Sequence, residues 1–335
     1  MVADTSDVSL SYDSAPWRCA PCGPGRWQAS PTPLIVLIVI GVTYIPMVLF
    51  TLDYSRDAGR IVAVILFHVM LALMLLSYLM TMCTDPGTPP EEWQRQMTVV
   101  TSRGESVPVC RRSGLYKPPR SHFDSVTERL TLNMDHFCPW VVNTVGFYNR
   151  KFFMLFLVYA NLTLLVAVIS LGSQVYEMWD WLNDKEQSGR RWFPGIVNVV
   201  FYIAAIVIDA VLLITLIPFA HFHLRMASLN ETTIEGSSHP KYNVGTMQNL
   251  RSVFGHAVWA WPIPLYLYGP DGDGLHWPST DDRPAVRASA AAVAPSGTST
   301  RTSPEMLSGL TAVASVSADS AAIVSTATVS TVETA

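Results

Sequence analysis

Apolar residues in this chain gather in long stretches and do not recur at the helical or strand spacing of a soluble core. Four runs stand out, about Leu34–Leu52, Ile61–Met82, Phe152–Val175 and Ile196–Ala220. Each approaches the ~20 residues that carry a helix across a ~30 Å hydrocarbon layer. The second run stops at Thr84-Asp85-Pro86-Gly87, a strong helix breaker followed by Pro89 and Pro90. Residues 91–151 then form a polar loop too long for a mere connector. The pattern predicts an all-α membrane protein, with four transmembrane helices and a cytosolic loop between spans 2 and 3. It divides the chain into a flexible N-terminus (1–33), spans 1 and 2 (34–82), the loop (83–151), spans 3 and 4 (152–221), a cytosolic segment (222–277) and a tail (278–335). No internal repeat is present.

Composition sharpens this reading. The 335 residues would permit two soluble domains, but half are hydrophobic, 14% are charged and mean hydropathy is +0.28, which excludes an ordinary soluble protein. No run stands at the extreme N-terminus behind a charged stretch, so no cleaved leader is expected. Basic residues set the orientation. The middle segment holds Arg95, Arg103, Arg111, Arg112, Lys117, Arg120, Arg129, Arg150 and Lys151. The flanking short loops hold Arg56 and Arg60, then Lys185, Arg190 and Arg191, the latter offset by Glu177, Asp180, Asp184 and Glu186. The middle segment is therefore predicted to be cytosolic, and four spans place both termini there too. The net charge of −4 averages over both sides of the membrane and decides nothing. The tail, rich in Ala, Ser, Thr and Val, is predicted to be disordered. Basic residues follow topology without aromatic interleaving, so no nucleic-acid partner is expected.

The five cysteines, Cys19, Cys22, Cys83, Cys110 and Cys138, fall in cytosolic or border segments, where disulfides are unusual. The loop ends in Met134-Asp135-His136-Phe137-Cys138-Pro139-Trp140, a short distance before the third run. A thiol of ordinary pKa ~8.5 is only slightly ionised at neutral pH. His136 can take its proton and Asp135 can hold the imidazole in the right tautomer. Neighbouring side chains on an extended chain point apart, so this arrangement predicts a bend around the thiol. By itself the D-H-x-C pattern fits an unremarkable surface loop equally well. Its closeness to the bilayer fits thioester chemistry on a lipid substrate.

The residues around it resemble the DHHC protein palmitoyltransferases. Lys117-Pro118-Pro119-Arg120-Ser121-His122, Met134–Trp140 and Val145-Gly146-Phe147-Tyr148-Asn149-Arg150-Lys151-Phe152-Phe153 are similar to that family's cysteine-rich domain. Asp85-Pro86-Gly87 matches its DPG motif, and Thr232-Thr233-Ile234-Glu235 its TTxE motif. Tyr242-Asn243-Val244-Gly245, Asn249-Leu250 and Val253-Phe254-Gly255 resemble its C-terminal motif. Together these cover roughly residues 34–265, in the family's order. The resemblance implies ping-pong acyl transfer: Cys138 attacks the thioester of palmitoyl-CoA, with His136 as base and Asp135 orienting it. A substrate protein's thiol then takes the acyl chain, which lies in an apolar cavity between the spans. It also puts Thr233 against Asp135 and makes Asn249 structural. The expected partners are palmitoyl-CoA, proteins with accessible cysteines and the bilayer; the expected location is the endomembrane system, Golgi or ER.

The departures carry information too. The family's loop binds two structural zinc ions. The motif register puts Cys110, Ser113, Phe123 and Leu130 at one site and Asp124, Thr127, Phe137 and Thr144 at the other. Only Cys110 is a usual ligand among them. We therefore expect no zinc and no other metal or cofactor, acyl-CoA being a co-substrate, and a hydrophobic cluster of Phe123, Leu130 and Phe137 in its place. Asp135, His136 and Cys138 being intact favours an enzyme over the alternative of a catalytically degenerate scaffold or regulator. A transporter would need polar residues along several spans, and only Asp209 offers one; it reads rather as a helix-to-helix hydrogen bond. Arg120, Arg150 and Lys151 are candidates for the phosphates of coenzyme A, and Cys19, Cys22 and Cys83 for acylation.

Overall fold

The computed structural model describes residues 30–53, 58–183, 196–236, 240–267 and 269–280. Residues 1–29 of the predicted flexible N-terminus and nearly all of the predicted disordered tail lie outside these residues, as do Cys19 and Cys22, while α1 begins within the predicted N-terminus at Thr32. Four long helices occupy the apolar runs: α1 (Thr32–Asp53), α2 (Ala58–Cys83), α4 (Arg150–Asn183) and α5 (Ile196–Leu229). Three stretches, Ala58–Cys83, Arg150–Tyr176 and Val200–Leu229, are long and apolar enough to cross a membrane, and Thr32–Val48 is a shorter apolar helix. Apolar on all sides, such helices close their backbone hydrogen bonds within themselves, as hydrocarbon demands. The few hydroxyls follow the same rule: Ser77 and Thr81 donate to the carbonyls of Leu73 and Ser77, each at 2.7 Å.

Helix α4 is the hub, packing along α2 and against α5. Small residues buried on these helices, Ala160, Ala167, Ala205 and Ala227, let the backbones approach. Phe67, Leu71, Met154, Tyr159 and Leu171 fill the space between. Asp209 is fully buried, and the Thr43 hydroxyl donates to its Oδ1 at 2.6 Å, tying α1 to α5.

Between α2 and α4 the chain adds what the all-α reading did not contain. A helix, α3 (Glu91–Ser102), follows Pro90 and has Glu91 and Glu92 at the positive end of its dipole. Two antiparallel hairpins come next: β1 (His122–Asp124) with β2 (Arg129–Thr131), and β3 (His136–Cys138) with β4 (Asn143–Val145). After α5, α6 (Thr246–Phe254) buries Asn249, Val253 and Phe254.

The Asp85-Pro86-Gly87 turn joins this module to α2. The Asp85 carboxylate accepts from the Gly87 amide at 2.9 Å and from the Arg129 guanidinium through both oxygens at 3.0 Å. The Asn143 side-chain amide donates to the carbonyls of Thr81, Met82 and Thr84, capping the end of α2 from the β3–β4 hairpin. Gly87 has φ +102°, and a Cβ there would meet the Tyr148 ring at 2.9 Å. Gly87→Ala is expected to cost about 2 kcal/mol, read as a lowered thermal unfolding midpoint; an unchanged midpoint would mean the turn relaxes freely.

Candidate active site

The β3–β4 hairpin carries the Asp135-His136-Phe137-Cys138 segment. Register pairs His136 with Val145, Phe137 with Thr144 and Cys138 with Asn143. Because strand side chains alternate, His136 and Cys138 share one face and Phe137 takes the other. No bend around the thiol is needed; the strand period alone brings base and nucleophile together, which corrects the sequence expectation. The turn Pro139–Val142 puts β-branched Val142 at φ +49°, a strained position in the turn that follows Cys138. The carbonyls of Pro139 and Trp140 accept from the hydroxyls of Thr32 and Tyr78, the latter at 2.9 Å, which seats the turn on α1 and α2. Cys138 is buried against Tyr78, Met82, Val145, Phe153, Leu157 and Ala220, an apolar cluster drawn from the hairpin and three of the long helices.

Asp135 is fully buried. His136 Nδ1–H donates to its Oδ2 at 2.7 Å, and the Thr233 amide donates to its Oδ1 at 2.9 Å. The Thr233 hydroxyl also donates to the Asp135 carbonyl, and the Arg150 guanidinium lies 3.7 Å from Oδ1. Burial pushes the Asp135 carboxyl up, but the His136 hydrogen bond and the charges of Arg150 and the two histidines hold it down at about 2. Burial pulls the His136 imidazole down, while hydrogen bonds and charge from Asp135 and Cys138 prevail and raise it to about 9. The pair therefore presents a carboxylate and an imidazole that keeps its proton well above neutrality.

A third ionisable residue completes the group. His223 of α5 is buried, with Nδ1 3.6 Å from Asp135 Oδ2 and its ring centroid 5.5 Å from that of His136. Phe153, Phe219 and Phe222 pack edge-on around it. The sequence reading missed His223 because the fourth apolar run ended at Ala220. Asp135, His136 and His223 offer ligating atoms within 4.8 Å of one another. An ion bound there would have to break the 2.7 Å bond between Asp135 and His136, so the arrangement suits a hydrogen-bonded dyad rather than a metal.

A family model described as DHHC palmitoyltransferase matches residues 105–239, which include this whole hairpin. The chain is 33% identical over 277 residues to the Probable protein S-acyltransferase 12 of Arabidopsis thaliana, covering 74% of this chain and 93% of that protein. It is 32% identical over 287 residues to Probable protein S-acyltransferase 14 of the same plant, covering 74% and 90%. Against Palmitoyltransferase ZDHHC20 of Mus musculus it is 27% identical over 308 residues, covering 78% and 80%. The chain belongs to the DHHC palmitoyltransferases. It is thus a member of an enzyme family of protein S-acyltransferases, with the apolar helices of a multi-pass membrane protein.

In this DHHC-family chain the three basic residues expected at coenzyme A phosphates are turned inward. Arg120 clips the loop to the segment after α5: Nε and Nη2 donate to Glu235 at 2.8 and 2.7 Å, and Nη1 and Nη2 donate to the side chain and backbone of Asn230 at 2.7 Å. Its guanidinium lies between the rings of Tyr242 and Trp277, 4.8 and 4.3 Å from their centroids. Arg150 donates to the Glu231 carbonyl, and Lys151 to the carbonyls of Ala260 and Leu265. All three are buried, away from the exposed position a coenzyme A phosphate would require. Thr232 Oγ1 accepts from the Glu235 amide. Asn249 donates to the Ser228 carbonyl and the Asn243 side chain, each at 2.8 Å, holding α6 to the end of α5.

The positions that align with the family's zinc ligands are filled differently at each site. At the first, Phe123 and Leu130 face each other across β1 and β2. At the second, polar side chains surround the position that was expected only to contribute Phe137 to that cluster. The buried Asp124 carboxylate instead accepts from the Thr127 hydroxyl at 2.7 Å, the Thr144 hydroxyl and the Val126 amide at 2.9 Å. Phe137 pairs with Thr144 across the hairpin. One carboxylate, two hydroxyls and a phenyl ring, already bonded or packed among themselves, do not make a zinc site.

Proposed function

We propose that this chain is a working protein S-acyltransferase that carries a long acyl chain as a thioester on Cys138. The observation that supports it is the array itself: His136 and Cys138 on one strand face, Asp135 buried behind His136, and the thiol directed at an apolar cluster able to receive a hydrocarbon tail. In the resting pair His136 already holds the Cys138 proton; in the first half-reaction the Cys138 sulfur bonds to the acyl carbon of an acyl-CoA, and the carbon–sulfur bond to coenzyme A breaks. Coenzyme A leaves as a thiol after receiving that proton. In the second, a substrate protein's cysteine gives its proton to His136 and attacks the Cys138 thioester, and Cys138 leaves as the thiolate beside the protonated His136, restoring the resting pair. Asp135 fixes the imidazole tautomer and offsets its charge, and Arg150 and Thr233 hold Asp135. A degenerate scaffold would have no use for a buried, fully bonded carboxylate behind a histidine.

The same reading takes α1 as the fourth span, the β3–β4 module and both termini as cytosolic, and an endomembrane location. It takes the module as zinc-free, held by the Phe123–Leu130 pair and the Asp124 hydrogen bonds. The test is loading of the purified, detergent-solubilised protein with labelled palmitoyl-CoA, followed by digestion and mapping of the label. The expected label is sensitive to hydroxylamine and sits on the peptide containing Cys138, with zinc near zero in the same sample. Label confined to Cys19, Cys22, Cys83 or Cys110, or absent from folded protein, would favour the scaffold.

A further inference from the structure

The reaction as written leaves one ionisable neighbour of the Asp135–His136 pair without a task. His223 comes from α5 and is 1% exposed. Phe153, Phe219 and Phe222 meet its ring edge-on, so packing fixes its orientation. Its Nδ1 is buried and has no hydrogen-bond partner. Asp135 Oδ2 lies 3.6 Å from that atom, too far for a hydrogen bond and near enough to feel an N–H dipole. Nδ1 must carry the proton, since a lone pair there would face the carboxylate. A phenylalanine would fill the same space and leave no polar atom orphaned. What the histidine adds is that N–H.

The two carboxylate oxygens of Asp135 serve different groups. Oδ1 accepts from the Thr233 amide at 2.9 Å and lies 3.7 Å from the Arg150 guanidinium. Oδ2 faces two imidazoles, His136 at 2.7 Å and His223 at 3.6 Å, whose ring centroids are 5.5 Å apart. The ionisable groups that act on the pair are Arg150 from α4, His223 from α5 and Cys138 from β3.

Burial works against the charge on His136, and the hydrogen bond to Asp135 leads the effects that lift it to about 9. A second donor aimed at the same oxygen weakens that bond and makes His136 less basic. Arg150 acts from the other oxygen, so its pull on this bond is less direct. His136 must also surrender its proton to the departing coenzyme A, and an imidazole held too tightly is a poor acid.

We infer that His223 is a positioning residue whose Nδ1–H shares Asp135 Oδ2 with His136, and so keeps His136 able to release its proton to the leaving coenzyme A. The inference rests on the reading of Cys138 as the acyl-bearing thiol. No bond forms or breaks at His223, which acts through Asp135.

The test compares two variants of the full chain. His223→Phe keeps the aromatic packing and removes the N–H. His223→Asn places an amide N–H near the position of Nδ1. Acyl loading from labelled palmitoyl-CoA is followed against pH. Alkylation of Cys138 by chloroacetamide, mapped by peptide, is followed in parallel and needs no acyl transfer. With Phe, the alkaline limb of loading is expected to move up by about 0.5–1 pH unit. Loading at neutral pH should fall about threefold. The pH at which alkylation responds to loss of the His136 proton should rise by the same amount. With Asn, both profiles should return most of the way to the parent's.

A limb that stays in place with Phe overturns the inference and leaves His223 a packing residue. One that moves down overturns it too, making His223 a support for the charge on His136. An Asn variant displaced as far as Phe does the same, since the N–H would then be irrelevant. A parent that takes no label at Cys138, while its alkylation profile still shifts with Phe, sinks the acyl-enzyme reading and upholds the sharing of Oδ2.

Discussion

Asp135→Asn is expected to slow acyl loading of Cys138 by about 10²–10⁴-fold, the range for disabling a general base through its orienting carboxylate. The amide has the carboxylate's shape and can still accept from the Thr233 amide, which donates to Oδ1 in the parent. It removes the charge and hydrogen bond that hold His136 at about 9, so that group should fall towards its ordinary 6.5. Loading followed against pH separates this from simple unfolding. The parent should decline as pH rises through about 9, where His136 loses its proton, and the variant should decline at distinctly lower pH. An unshifted alkaline limb would mean Asp135 does not tune His136. Cys138→Ser serves as the zero, with loading at background in protein of unchanged fold. The same groups set a stability window. His136 is raised in the fold, so its contribution is full below about pH 6.5 and is lost as pH climbs through 9. Asp135 is depressed, so its contribution is full above about 3.8 and is lost as pH falls towards 2.

Asp124→Ala should be among the most destabilising single changes in the module between α2 and α4. It strands two buried or half-buried hydroxyls and one amide that now share a single carboxylate. Hydrogen bonds to a buried charge are worth about 1.5–3 kcal/mol each, so a net loss of about 3–5 kcal/mol is expected after partial relaxation. Limited proteolysis should then cut within residues 105–145 while the helices resist. The parent's unfolding midpoint should not move with strong zinc chelators, since an Asp and two Thr hydroxyls do the pinning. A midpoint that collapses on chelation would fail the hydrogen-bond account and restore a metal to the module.

The long helices were legible because lipid-facing sequence is monotonous, and the site was legible because Asp135, His136 and Cys138 are close in sequence. What escaped reading did so for physical reasons. His221, His223 and Arg225 end the apolar run at Ala220, yet α5 continues to Leu229 and buries His223, Met226 and Ala227. That hid His223, the one site residue contributed by a distant helix. Helix α3 was overlooked although Pro90, Glu91 and Glu92 are a fair start signal. Arg120, Arg150 and Lys151 read as surface charge because a sequence does not reveal that a cation has carbonyls or a carboxylate waiting inside. The hydrogen bonds of Asp124 with Thr127 and Thr144 stayed hidden because their side chains meet only after two hairpins form.

The clip between Arg120 and the residues after α5 has a consequence for how the protein matures. Asp135 receives its bond from Thr233, 98 residues later in the chain, and Arg120 is sandwiched by Trp277 further on still. As a nascent chain emerges from the ribosome, the hairpin bearing Cys138 is complete long before its partners exist. Its thiol stays outside a finished site until the last helix has inserted and the polypeptide has reached Trp277. Synthesis order thus acts as a timer, and a ribosome stalled before that point would leave an inserted but unreactive protein.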